Sequence, residues 1–149
     1  METYAPPGSL LSANLQVDVR WDATTHTGSR IVSVGPSYFT PVSKAQVVGV
    51  SGSLDFVNSA YSNRSYGVST AASAASGLRT YTAHAGLKSV AFRAFTAYDL
   101  SGDLRNGGFA VGAGVGYTIL TGSASDSPII QARGRHNSVQ VAAGFGYAF

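Results

Sequence analysis

No cysteine occurs among the 149 residues, so a disulfide, a catalytic thiolate and a cysteine-built zinc site are all excluded. Charge is scarce as well: Asp, Glu, Lys and Arg make up 11% of the chain, well under the roughly 25% of an ordinary soluble domain. The sequence holds no apolar run near the ~20 residues that a membrane helix requires, and its mean hydropathy is only +0.10. The opening METYAPPGSLL has neither a basic start nor an apolar core, so no signal peptide is visible. The net charge is +3, but Lys and Arg are scattered rather than clustered, which argues against nucleic acid as a partner.

What is present is alternation. The last twelve residues, SVQVAAGFGYAF, put Val139, Val141, Ala143, Phe145, Tyr147 and Phe149 on one face and small or polar residues on the other. Successive strand side chains face opposite sides, so this is a strand with one greasy face. Chain ends usually fray, so a soluble protein gains little from ending in its most apolar strand. In an outer-membrane barrel, by contrast, the last strand must pair and its outward face must meet lipid.

Five further segments alternate in the same way, at about residues 9–21, 30–39, 44–57, 81–100 and 105–120. Their outward positions include Leu15, Val17, Val19 and Trp21, then Val32 to Tyr38, then Val48 to Phe56, then Val90 to Tyr98, then Phe109 to Ile119. Several reach the ~9–11 residues that a bilayer-crossing strand needs. The connections alternate too: residues 40–43 and 101–104 are tight turns, while 22–29, 58–80 and 121–134 are longer. Short periplasmic turns and long outer loops are the habit of outer-membrane barrels. Tyr38, Tyr98, Tyr147 and Phe149 fall near one rim, and Trp21 and Tyr61 near the other, as aromatic girdles would. The expectation is an all-β, antiparallel, up-and-down transmembrane β-barrel, one domain over residues 1–149, with about six strands visible and the barrel therefore partial. A soluble all-β sandwich is the alternative that composition alone leaves open.

The inward face carries four charges, Asp18, Arg20, Asp55 and Arg93. Charges in a barrel interior are normally paired or bathed in water, and pairing of Arg93 with Asp55 or Asp18 is expected. Gly112, Gly114, Gly116, Gly144 and Gly146 strip side chains from part of the same face, which suits tight curvature. The segment 66–77 is rich in Ala and Ser and suits one or two helical turns ended by Gly77. In Asp126-Ser127-Pro128, the proline holds Ser127 extended and Asp126 can cap the turn, with Arg133 as a partner.

Chemistry is sparse. His26, His84 and His136 fall on the outer side, but their spacing carries no ligand pattern, and no metal or cofactor is expected. His136 beside Ser127, or His84 with a loop serine, is the only arrangement that suggests base-activated hydrolysis. Solvated loop histidines are the simpler reading, and no catalytic residue is expected.

Two stretches go further than pattern: YGVSTAASAASGLRTYTAHAGLKSV (66–90) and LTGSASDSPIIQARGRHNSVQVAAGFGYAF (120–149). Within them Tyr66, Gly67, Ser69, Ser76 and Gly77, then Asp126, Ser127, Pro128 and Arg133, resemble the loop motifs of the MipA/OmpV family. The resemblance covers most of the chain from the third strand on. It implies a Gram-negative outer-membrane barrel whose partners are membrane lipid and the barrel-insertion machinery, with Phe145, Tyr147 and Phe149 as the insertion signal. It also implies a scaffold that links a lytic transglycosylase to a murein synthase.

Family members are longer and begin with a signal peptide and further strands. Six strands fall short of the eight of the smallest barrels, so a fragment, a misassigned start at Met1 or an assembly of several chains is expected. The functional expectation is a non-enzymatic scaffold whose partners meet the turns 40–43 and 101–104 and the chain end. A small-solute channel or binding barrel is the alternative, and a rim lipid hydrolase the third.

Overall fold

The computed structural model describes residues 12–21 and 28–148. Six strands form one antiparallel sheet in chain order: β1 (Ser12–Trp21), β2 (Arg30–Pro41), β3 (Gln46–Val57), β4 (Gly86–Asp99), β5 (Gly108–Leu120) and β6 (Asn137–Ala148). Four short helices lie between strands: α1 (Ser59–Tyr66) and α2 (Thr70–Ser76) between β3 and β4, α3 (Gly122–Ser125) and α4 (Pro128–Arg133) between β5 and β6.

The period-two pattern sets which residues share a face, and the register confirms it across the sheet. One row runs Val17, Val34, Leu54, Val90, Ile119, and the next Tyr38, Val50, Ala94, Val115, Val141. This face is apolar and open: Phe145 is 86% exposed and Leu15 73%. The buried core is small and sits beneath the helices, where Val57, Val68, Ala83, Ala124, Ser62 and Ser127 are closed off.

Among the described residues the sheet does not close, since β1 pairs only with β2 and β6 only with β5. The all-β, up-and-down architecture is therefore as expected, and the open edges fit a partial barrel. Residues 9–11, Asp22, His26 and Phe149, which the sequence reading used, lie outside the described residues.

Two irregularities shape the sheet. The β2–β3 ladder skips Gly35 and Pro36; Pro36 has no N–H to give, and a proline in mid-strand is tolerated where a ladder bond is absent. Gly35 is needed there, because a Cβ would collide with the Gly52 carbonyl. The second irregularity is a bulge in β4: Asp55 pairs with Ser89 and Phe56 with Leu87, leaving Lys88 without a register partner.

Strand boundaries differ from expectation in one place of consequence. The fourth strand begins at Gly86 rather than near Tyr81. Tyr81 is held by Val68 instead, each residue's N–H donating to the other's carbonyl at 3.0 and 2.9 Å. That pair closes a loop around α2 and withdraws residues 81–85 from the sheet. The first tight turn is at 42–45, because β2 continues through Pro41, and the second is longer than expected, the eight residues 100–107, because β5 starts only at Gly108.

Candidate functional site: a polar inner face between two different ends

The inner face is where the polar side chains gather. One row crosses all six strands in register: Asn14, Ser37, Ser51, Arg93, Gly116 and Gln140. Next to it, a groove of about 380 Å³ opens over β1 to β4, with Gln16, Asp18, Arg20, Ser33, Ser53 and Arg93 in its walls. The four expected inward charges are all on this face, but they do not form one network. Arg20 binds Asp18 two residues earlier on its own strand, at 2.8 Å, and donates to the Ser33 hydroxyl at 3.3 Å. Asp55 is buried and takes the Lys88 ammonium at 3.4 Å and the Ser89 hydroxyl at 2.8 Å.

Arg93 donates to the Ser53 hydroxyl at 3.3 Å rather than to a carboxylate. The pairing expected for it is taken up elsewhere, Asp18 by Arg20 and Asp55 by Lys88. Its aliphatic stem lies near Gly116, where a Cβ would stand 3.6 Å from Arg93 Cγ, an ordinary van der Waals contact.

Lys88 is the functional-face residue that alternation alone misplaces. By parity with Val90 and Phe92 it would point outward with the apolar side chains. The bulge shifts the register at that point and lets it turn to Asp55, with its ammonium 5.7 Å from the Tyr61 ring. Bulges re-aim single side chains in this way. A lone lysine amid apolar strand positions was the available signal.

The helical end is tied together by small polar side chains. Asn58 accepts from the N–H of Tyr61 at 3.0 Å and of Arg30 at 3.1 Å, and donates to the Gly28 carbonyl at 2.6 Å. It caps α1 and pins the β1–β2 connection to it. The family-like loop residues act here. Ser69 caps α2 by accepting from the Ala72 N–H, and Ser76 donates back to the Ala72 carbonyl at 2.6 Å. Gly77 ends α2 with φ +73°, a left-handed cap that glycine takes without strain. The expected helix over this segment is thus present.

Gly67 donates to the Asn63 carbonyl at 3.0 Å and ends α1. The Tyr66 carbonyl accepts the fully buried Ser127 hydroxyl at 2.7 Å, which joins the two loops. Burial, and secondly the neighbouring Tyr61, push the Tyr66 phenol above its ordinary value, so it stays protonated at neutral pH.

At the third loop, Ser127 is the N-cap of α4, with Pro128 in the first turn. This takes the capping role that the sequence suggested for Asp126, which instead follows α3, is exposed, and donates its N–H to the Gly122 carbonyl. The side chain of Arg133 is not among those described. The Ser127 hydroxyl is committed to a backbone carbonyl, so a Ser127–His136 hydrolytic pair is not assembled. His84 and His136 are both exposed; the first donates its N–H to Ser123 Oγ, and the second accepts from the Leu120 N–H. Among the described residues, no three His, Cys, Asp or Glu gather as a metal site would need.

The opposite end is built from two turns. The Leu104 N–H donates to the Lys44 carbonyl at 2.9 Å, and the Asp99 N–H to the Ala45 carbonyl at 2.7 Å, so the turns brace each other. Asp99 accepts from the Ser101 N–H at 2.8 Å. Val42 and Leu100 stand more than half exposed at the tips, with Leu104 beside them. On the outer face near this end, Phe109 and Tyr147 meet edge to face with centroids 4.9 Å apart.

No curated protein and no solved structure matches the chain. The family model described as MltA-interacting protein MipA matches residues 1–149, which extends the resemblance back through the first two strands. An all-β meander with one apolar face, and loop motifs that serve as its caps and staples, therefore belong to a chain that is a member of the MipA family.

Proposed function

We propose that this chain is an outer-membrane β-barrel protein that serves as a docking scaffold for murein-processing enzymes. The observation that carries the membrane part is the exposed apolar face. Phe145, Val141 and Leu15, each more than two-thirds exposed, lie on one continuous surface of strands 10 to 14 residues long. Such strands are long enough to cross an apolar band ~25 Å tall when tilted. Continuous apolar surface of this extent is unfavourable in water and favourable against acyl chains. No helix among the described residues is long and apolar enough to cross a membrane, which leaves the strands as the spanning elements.

The scaffold part rests on the family name, which describes an interaction with MltA, and on the braced turn end. Val42, Leu100 and Leu104 present apolar tips on two turns held to each other by backbone hydrogen bonds. A rigid apolar tip flanked by Lys44 and Arg105 suits docking better than a mobile loop, because little ordering entropy is lost on binding. The partner is a periplasmic lytic transglycosylase, and through it a murein synthase.

The test is retention of a purified lytic transglycosylase by the refolded protein in detergent. Val42→Asp with Leu104→Asp is expected to lower the amount retained at least tenfold. Full retention by that double variant would remove the turn end from the interface.

A further inference from the structure

We infer that the inner groove is a binding site for a small solute bearing an oxyanion, a phosphate or a carboxylate, with Arg93 as its anchor. This reading is separate from the scaffold role, which uses the turn end and not the inner face.

The argument begins with charge. Asp18 is neutralised by Arg20 at 2.8 Å, and Asp55 by Lys88 at 3.4 Å. The third cation of this face, Arg93, meets no carboxylate among the described residues; its hydrogen bond is to the neutral Ser53 hydroxyl, at a long 3.3 Å. The face therefore keeps one positive charge in excess, and that charge borders the groove of about 380 Å³. A guanidinium has five N–H donors in a planar fork and matches an oxyanion in two parallel hydrogen bonds. A single long bond to Ser53 leaves most of that capacity unused.

Geometry adds a second reason. The bond to Ser53 turns the Arg93 guanidinium toward β3, along the wall of the groove. Ser33, Ser51, Ser53 and Gln16 supply hydroxyl and amide groups around it, suited to a hydroxylated carrier of the anion. Further along the same face, Gly112, Gly114, Gly144 and Gly146 on β5 and β6 carry no side chains. A preset cation with hydrogen-bonding neighbours and open room in front of it is the form of a solute site in a barrel interior.

The experiment is calorimetric titration of the full chain, refolded in a zwitterionic detergent at low salt, with inorganic phosphate, glucose 6-phosphate and glucose. Phosphate and glucose 6-phosphate are expected to bind and glucose not to. Arg93→Gln should weaken phosphate binding about tenfold or more, whereas Arg93→Lys, which keeps the charge, should lose less. Asp18→Asn should tighten it severalfold, because Arg20 is then released into the same groove. Far-UV circular dichroism confirms the fold of each variant. If glucose 6-phosphate binds more tightly than phosphate, the hydroxyl groups take part; if equally, the oxyanion alone is read, and either result supports the site. Glucose binding as tight as phosphate, or phosphate binding unaltered in Arg93→Gln, would overturn it.

Discussion

At one end of the sheet, four helices are held by side chains: Asn58, Ser127 and Tyr81 each reach across to another segment, Ser69 caps its own helix, and most of the buried residues lie at this end. At the other end, two turns are joined to each other by two backbone hydrogen bonds, the side chains of Asp99 and Ser101 tie the longer turn to itself, and apolar tips stand exposed. The helical end thus concentrates its stability in a few replaceable side chains, each doing several things. The turn end joins its two turns to each other through main-chain bonds that no substitution deletes, and its side-chain bonds lie within single turns. A surface built the second way can vary in sequence while keeping its shape, which suits an end that meets partners.

The comparison can be broken by measuring unfolding free energies in lipid vesicles with urea. The largest effect is expected at Lys88→Met, which leaves the buried Asp55 carboxylate without its cation. Losing one member of a buried pair costs about 3 kcal/mol. Adding Asp55→Asn should recover more than half of that, and no recovery would mean the pair is not what stabilises the bulge.

Asn58→Ala comes next, at roughly 2 kcal/mol, since a cap and two links to the β1–β2 connection go together. Ser127→Ala should cost about 1.5 kcal/mol, from the N-cap of α4 and the orphaned Tyr66 carbonyl. The smallest effect belongs to the turn end. Asp103→Ala removes one exposed side-chain bond to the Arg105 N–H and should stay within about 0.5 kcal/mol. A loss there equal to that of Asn58→Ala would erase the distinction between the ends.

Strict alternation made the strands and their faces legible, down to Gly112, Gly114 and Gly116 lying inside opposite Phe109 to Tyr117 outside. It works because a one-residue slip would turn every side chain to the wrong face. The helix ended by Gly77 was legible for the same local reason, a left-handed cap after an Ala-rich run. α1 and α4 were not anticipated, although Asn58 and Ser127-Pro128 are ordinary start signals for a helix. Both helices are short and weakly apolar, so their existence depends on packing over the sheet end rather than on propensity.

The four charges share one face of the sheet, but the expected pairing of Arg93 with Asp55 or Asp18 is not formed. Alternation says which face a residue takes and not which neighbour it reaches, and it fails outright at Lys88, where the bulge breaks the period. Arg93 is left without a carboxylate because Arg20 and Lys88 take both.

The strand order has a kinetic consequence. Every strand pairs with its neighbour in sequence, from β1 through β6, so no ladder waits for a distant segment to arrive. The longest connection, residues 58–85, is shortened in effect by its own helices and by the Val68–Tyr81 pair, which lowers the loop-closure entropy of joining β3 to β4. Such a sheet can be laid down one hairpin at a time, with each new strand finding its template already in place.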